Sequence, residues 1–131
     1  LFTNYSVDIR PVKNDQNAVN LDVKLKVDDA FLRGFVLTSR IHLKISWLDE
    51  ILPWESGNYT NITYLHRKEN ELWTPRFQVW NSVSDGNFEC YDKVVKIYND
   101  GKVEFDCRST FRVRCETTFV RFPFDGHDCE I

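Results

Sequence analysis

The sequence predicts an all-β fold in which two sheets pack face to face as a sandwich. Apolar and polar residues alternate along several stretches, which is typical of strands that bury one face. Clusters of Asn, Asp, Ser and Gly separate these stretches at the spacing of hairpin turns. The sequence contains no internal repeat, linker or low-complexity tract. With 131 residues, of which 42% are hydrophobic, the chain suffices for one domain with a packed core.

Charge, hydropathy and motif content argue against several functions. The net charge of −3 gives no support for nucleic-acid binding, which needs a basic surplus. No apolar run approaches the roughly 20 residues that cross a bilayer. The chain begins without a signal peptide, so we expect a mature, trimmed or partial sequence. Because it lacks a Gly-x-Ser-x-Gly elbow, an HExxH pair and a glycine-rich phosphate loop, we expect neither enzyme activity nor a cofactor.

Cysteines and glycosylation sequons point to an oxidising, extracellular setting. Four cysteines can form two bridges in three ways, and they are Cys90, Cys107, Cys115 and Cys129. None belongs to a Cys-x-x-Cys pair, so a zinc site is not expected. Three Asn-x-Ser/Thr sequons begin at Asn4, Asn58 and Asn61.

The N-terminal part of the chain contains two predicted strands. Residues 1–14 form a turn or the tail of a short helix, because the step into Pro11 disfavours helix at the residue before it. A strand with one buried face follows, ended by the acids at 28–29, and its apolar residues are Val19, Leu21, Val23, Leu25 and Val27. The apolar stretch 31–37 forms a bend or a short strand. A second strand has the apolar residues Ile41, Leu43, Ile45 and Trp47.

The later elements surround a hairpin. Residues 55–71 are polar and carry two sequons, so we expect a surface loop, and residues 82–87 form a turn. Residues 91–98 and 102–107 form two strands, since Gly101 accepts the positive φ that a turn at 99–101 requires. Residues 111–115 alternate in one more strand. Cys90 and Cys107 flank the hairpin and could form a disulfide, with two free thiols as the alternative.

A loop between Cys115 and Cys129 carries the most specific pattern. It encloses thirteen residues, apolar and aromatic as far as Phe122-Pro123-Phe124-Asp125 and polar after it. A disulfide between its ends would remove about 3 kcal/mol of chain entropy from the unfolded state. On spacing alone, the loop is a structural staple of a secreted β domain. Together with its Phe-Pro-Phe-Asp sequence, it resembles the signature loop of the Cys-loop receptors, the pentameric ligand-gated ion channels of the nicotinic acetylcholine receptor type.

Two further motifs resemble the same family and follow in family order. A Trp-x-Asp-x-x-Leu-x-Trp pattern is matched by Trp47, Asp49, Leu52 and Trp54. A Leu-Trp-x-Pro stretch with a following aromatic-Asn pair is matched by Leu72, Trp73, Pro75, Trp80 and Asn81. Arg76 departs from the family, which usually has Asp there.

The resemblance implies an immunoglobulin-like β-sandwich with a short N-terminal helix. Residues 1–131 would form a single extracellular ligand-binding domain, of which they cover about the first two thirds. The family's C-terminal strands follow the second cysteine of the loop, and we expect them to be absent from this chain.

The resemblance also implies a ligand site between adjacent subunits of a five-membered ring. An aromatic box there holds a small amine such as acetylcholine by cation–π attraction. Trp80 falls on segment A of one face, His42 on segment D of the other, and residues 103–107, including Val103 and Phe105, on segment E. From the residues alone, Trp80 could equally pack in the core, and His42 could simply be an outward residue. A protonated His42 would repel a cationic ligand.

We therefore expect the extracellular neurotransmitter-binding domain of a nicotinic-type channel, made of identical or homologous subunits. In the family the tip of the disulfide loop relays movement to the pore, a contact that here would involve Phe122, Pro123, Phe124 and Asp125. The alternative is a soluble, secreted transmitter-binding protein of the acetylcholine-binding type, without a pore. A plain adhesion sandwich is disfavoured by the three matching motifs.

Overall fold

The computed structural model describes residues 3–54, 61–83, 89–118 and 126–129. Nearly all regular structure in these ranges is β. A 3₁₀ turn covers Glu69–Glu71. The strands are β1 (Asp22–Arg33), β2 (Val36–Leu48), β3 (Tyr64–Arg67), β4 (Asp92–Tyr98), β5 (Lys102–Arg114), β6 (Glu116–Thr118) and β7 (Gly126–Asp128).

Five of the strands form one antiparallel sheet in the order β1-β2-β5-β4-β3, and β6 and β7 form a two-stranded ladder. β3 lies at an edge and pairs antiparallel with β4, so that Tyr64 is opposite Tyr98. This arrangement confirms the predicted all-β class. No helix among the described residues is both long and apolar enough to span a bilayer.

The chain divides into two compact units. The first consists of Leu1–Lys24, Leu43–Pro75 and Lys93–Cys107, and the second of Leu25–His42, Arg76–Asp92 and Arg108–Ile131. The first unit has an apolar core whose buried members are Leu43, Ile45, Trp47, Leu52, Leu72, Val95, Ile97, Val103, Phe105 and Cys107. In the second unit the buried residues of the described ranges are Ser39, Ile41, Ser109, Val113 and Cys115.

Strand β2 and the β4–β5 hairpin follow the predictions. The buried residues of β2 alternate as its sequence indicates, and Gly101 in the hairpin turn has φ +91°. The two strands predicted for 102–107 and 111–115 are, however, one continuous strand, β5. Ser109 takes an inward position and is buried, so a small polar residue interrupted the apolar alternation without ending the strand.

Strand β1 differs from its prediction in two respects. The acids at 28–29 do not end it, because Asp29 lies on an exposed position and forms a bidentate ion pair with Arg40 of β2. This partner also lowers the pKa of Asp29. The predicted buried face is wrong as well, since every residue of β1 is exposed and nothing in the described ranges covers its apolar side chains.

Two smaller expectations also needed correction. The predicted loop 55–71 contains strand β3. The sequence did not predict this strand because its four residues are mostly polar and exposed, and because it pairs with a neighbour on one side only. Residues 3–21 form turns and bends, so the short N-terminal helix does not extend into them. They are fixed instead by contacts with later residues of the first unit, such as the bond from the Glu50 N–H to the Pro11 carbonyl at 2.9 Å.

Candidate ligand-binding site

The Trp-x-Asp-x-x-Leu-x-Trp motif is structural in the first unit. Asp49 is only 1% exposed. Its carboxylate accepts hydrogen bonds from the Tyr5 hydroxyl at 2.7 Å and from the Ile51 N–H at 2.9 Å. Burial raises the pKa of Asp49, and these bonds oppose the rise because they favour the charged form. The Asp49 carboxylate therefore holds the Tyr5 side chain and the backbone at Ile51 in place beside it.

The second motif joins the same network. The Trp73 N–H donates to the Tyr5 hydroxyl at 3.1 Å, so this one oxygen links the two motifs. Burial and the bond to Asp49 raise the pKa of Tyr5, which therefore stays protonated and can donate. The Trp47 and Trp73 rings meet edge to face, with centroids 6.0 Å apart. The motif tryptophans Trp47 and Trp73 thus pack within the first unit.

Trp80 has a different environment, in the second unit. The residues after it pair with the end of β5, where the Arg114 N–H donates to the Asn81 carbonyl and the Val83 N–H to the Arg112 carbonyl, both at 3.0 Å. This pairing fixes the backbone next to Trp80 but leaves its side chain 82% exposed. The ring of Trp80 is therefore not part of the core.

A cleft of about 470 Å³ lies beside the Trp80 ring. It offers an aromatic face, one cationic and one anionic side chain, and its described lining consists of Trp80, Asn81, Ser82, Val83, Arg114, Cys115 and Glu116. An ammonium group could meet the ring face and the carboxylate of Glu116 there. Arg114 and Glu116 were not among the predicted contact residues, although both adjoin Cys115 and Arg114 takes an outward position on β5.

The other predicted contact residues are not in this lining. His42 is half-buried on the face of β2 opposite to Ile41 and Leu43. Val103 is 0% and Phe105 6% exposed, and both belong to the core of the first unit. Side chains buried in this way cannot touch a ligand on the outward face, where the same strand presents Glu104 and Asp106.

The disulfide loop is closed at its base. Cys115 and Cys129 form a disulfide with their Cα atoms 4.5 Å apart, and β6 pairs with β7 so that Glu116 is opposite Asp128. The tip residues Phe122, Pro123, Phe124 and Asp125 lie outside the described residues. Cys90 and Cys107 are disulfide-bonded too, so the alternative of two free thiols does not apply.

Comparison with known proteins decides the family. The profile of the neurotransmitter-gated ion-channel ligand binding domain matches residues 1–131. The chain belongs to this family. Membership in the neurotransmitter-gated ion-channel ligand-binding domains confirms the resemblance drawn from the three motifs.

Curated relatives of this ligand-binding domain are acetylcholine receptor subunits. An alpha-like subunit of Manduca sexta is 32% identical over 98% of the chain, and an epsilon subunit of Xenopus laevis is 30% identical over all of it. A neuronal alpha-9 subunit of Gallus gallus is 26% identical over all of it. The chain spans 26%, 27% and 28% of these three relatives, respectively, or about a quarter of their length.

Proposed function

We propose that the chain is the extracellular neurotransmitter-binding part of a nicotinic-type pentameric ligand-gated ion channel. Its family and the names of its relatives support this function, and the disulfides fit an extracellular position. The pore and the remaining length of the protein belong to the proposal. Residues 1–131 act as part of one ligand-binding domain, in a ring of identical or homologous subunits.

The ligand is a small amine such as acetylcholine, bound at a subunit interface. The observation that carries this proposal is the exposed ring of Trp80 beside a cleft that also contains Glu116. An ammonium over a tryptophan face gains about 1–2 kcal/mol once the site is shielded from water. A neighbouring subunit would provide that shielding.

Residues of the opposite face complete the proposed site. His42 keeps its proposed contact role, because a neutral imidazole can stack against a ligand whereas a protonated one would repel a cation. In the stretch 103–107, Val103 and Phe105 are buried. The proposed ligand contacts are therefore those of the outward Glu104 and Asp106. In this arrangement Val103 and Phe105 support the strand from within the core.

The test measures acetylcholine binding by isothermal titration calorimetry, after native mass spectrometry has established the assembly. We expect Trp80→Ala to weaken binding at least about tenfold, the equivalent of roughly 1.4 kcal/mol, and Trp80→Phe to weaken it less because a ring remains. Tyr91→Ala is the matched control, since it removes another exposed aromatic side chain of the second unit. A pentamer that binds no amine, or equal affinity in Trp80→Ala, would contradict the proposal.

The disulfide loop couples the ligand to the pore. The disulfide and the β6–β7 pairing close the base of this loop, and the contact with the pore is proposed for Phe122, Pro123, Phe124 and Asp125. In the full-length channel, Phe124→Ala should reduce ligand-evoked current while leaving ligand affinity unchanged. Unchanged current would remove this role from the loop. The full-length messenger RNA distinguishes a channel from the soluble alternative. The message of a channel encodes four apolar segments of roughly 20 residues, and that of a soluble binding protein does not.

N-glycans at the sequons also belong to the proposal. Asn4 and Asn61 are exposed, and Asn58 lies outside the described residues. Release of N-glycans from the secreted protein should lower its mass, and single Asn→Gln substitutions would assign each occupied position. An unchanged mass would refute glycosylation.

A further inference from the structure

A pair of tyrosines lies on the outward face of β3 and β4 in the first unit. Strand register places Tyr64 opposite Tyr98, with ring centroids 6.3 Å apart and ring planes inclined at 51°. Tyr64 is exposed and Tyr98 half-buried, so solvent reaches the rings. Two inclined aromatic faces form a notch, which is defined here by Tyr64 and Tyr98 and is suited to an ammonium ion.

The chain itself fills this notch. The Lys96 Nζ lies 3.9 Å from the centroid of Tyr64 and 5.0 Å from that of Tyr98, both within the range of cation–π attraction. Among the described residues, the ion pairs of the first unit involve the cations of Lys44, Arg67, Lys93 and Lys102 rather than that of Lys96. The tyrosine faces are thus the contacts of its ammonium.

The surroundings of the notch add positive charge. Lys102 Nζ lies 5.8 Å from the Tyr98 ring and 3.1 Å from the Glu104 carboxylate, which Lys44 also approaches at 3.9 Å. The Tyr98 hydroxyl donates to the same carboxylate at 3.1 Å. Burial would raise the pKa of Glu104, but the bonds from Lys102 and Tyr98 together lower it, so the group is a carboxylate. One carboxylate beside Tyr98 therefore pairs with two ammonium groups, those of Lys44 and Lys102.

We propose that Lys96 is a specificity-determining residue, whose ammonium occupies the place that the ammonium of a ligand would take between Tyr64 and Tyr98. The notch then excludes small protonated or quaternary amines from this face of the chain. The inference rests on the proposed ligand class and deepens it, because it identifies an aromatic pair that does not bind ligands of that class. It does not involve Trp80, so the two proposals can fail separately.

The test measures amine binding through NMR signals of the two tyrosine rings themselves. The protein is labelled with 3-fluorotyrosine, and the ¹⁹F signals of the notch are assigned with Tyr64→Phe and Tyr98→Phe. Tetramethylammonium chloride is the probe, and sodium chloride at equal concentration corrects for ionic strength. In the native protein both signals should remain unshifted. In Lys96→Gln they should shift to saturation at probe concentrations that leave the native signals unshifted, which corresponds to at least about tenfold higher affinity.

Two variants control for charge and for folding. Lys93→Gln makes the same charge change on the same strand, but the Lys93 ammonium pairs with Glu69, so the ring signals should stay unshifted. Lys96→Arg keeps a cation over the rings and should continue to exclude the probe. Thermal melting confirms that each variant is folded.

Three results would overturn the inference. The first is a titration of the native rings as tight as that of Lys96→Gln, the second is a folded Lys96→Gln protein that does not titrate, and the third is an equal response of Lys93→Gln. The last result would show a general effect of charge on the whole surface. A failure at Trp80 changes none of these signals, because they report only on Tyr64 and Tyr98.

Discussion

The buried carboxylate of Asp49 is the residue on which the first unit is most dependent. It accepts hydrogen bonds from the Tyr5 hydroxyl and from the backbone N–H groups of Ile51 and Leu52. Removing a carboxylate from water is costly unless such donors replace the water molecules. The three donors come from two separate parts of the chain, so the same group that costs desolvation energy also fixes how those parts meet.

Removal of the Tyr5 hydroxyl should destabilise the protein. Tyr5→Phe keeps the ring but deprives Asp49 and the Trp73 N–H of one partner each, so we expect a loss of about 1–3 kcal/mol in the free energy of unfolding. Urea denaturation measures this loss. Tyr91→Phe, at an exposed ring, is the control and should change stability by less than about 0.5 kcal/mol. Equal stability of Tyr5→Phe and native protein would show that the network contributes nothing.

The titration of Asp49 should appear in the pH dependence of stability. Its folded pKa is raised above the unfolded value of 3.8, so the folded state binds the proton more tightly. The contribution of Asp49 to the free energy of unfolding therefore increases as the pH falls from neutral toward 3.8 and decreases as the pH rises. Asp49→Asn cannot titrate, so the unfolding free energy of the native protein relative to this variant should increase between pH 7 and pH 4. The increase cannot exceed about 1.4 kcal/mol per pH unit. A flat or falling difference would contradict the assignment.

At the level of elements, the β4–β5 turn is locked against the Asp49 segment. Gly101 has φ +91°, and a Cβ atom built on it would lie 2.5 Å from the Asp49 carbonyl oxygen. The Asp49 N–H in turn donates to the Gly101 carbonyl at 2.8 Å. The glycine is thus required twice, by its backbone conformation and by the close approach of another backbone.

Two glycine substitutions separate these requirements. Gly34 in the β1–β2 turn has φ +62° but open space around it, so Gly34→Ala should cost only the conformational term of about 1–2 kcal/mol. Gly101→Ala must also displace backbone and should cost at least about 2 kcal/mol more. Thermal and urea unfolding of both variants test this order. Equal losses would mean that the Asp49 backbone shifts freely.

Patterns within single strands were predictable, whereas pairings between distant strands were not. The alternation of Ile41, Leu43 and Ile45 reports burial directly, and β2 follows it. The same alternation holds in β5, where Val103 and Phe105 are buried and Glu104 and Asp106 lie on the outward face. The notch, by contrast, depends on the register between Tyr64 and Tyr98, which no local pattern in the weak edge strand β3 reveals.

The exposure of Trp80 was equally hidden from the sequence. A tryptophan near alternating strands is as suited to a core as to a surface, and the motif match alone left both interpretations open. Its environment is set by backbone pairing of the next residues with β5, about thirty positions along the chain. Only the tertiary structure shows that this ring faces solvent.

At the scale of the whole molecule, β1 leaves an apolar row exposed. Leu21 is 37% exposed, and Val23, Leu25 and Val27 on the same side of the strand are exposed to 45–48%. The strand is also the edge of the five-stranded sheet. Long apolar edge strands favour association with other chains, because their apolar side chains and the unpaired backbone N–H and C=O groups of an edge can both contact another chain.

Substitution of this row should reduce binding of an apolar dye. Val23→Thr with Leu25→Thr places β-branched side chains, which suit a strand, at both positions but makes the row more polar, so we expect lower fluorescence of anilinonaphthalene sulfonate and less concentration-dependent light scattering by the isolated chain. Lys24→Thr with Lys26→Thr changes the alternate positions of the same strand to the same residue and is the matched control. If the control lowers both signals as much as the test pair, the apolar row is not their source.

The bonds of Tyr5 also set an order of events during synthesis. Its partners Asp49 and Trp73 follow 44 and 68 residues later, so the segment around Tyr5 is synthesised well before either exists. Contacts of such sequence separation form slowly, since the intervening chain must first close a large loop. The segment around Tyr5 is therefore among the last to dock, and until Trp73 has been made a nascent chain leaves this segment open to chaperones and proteases.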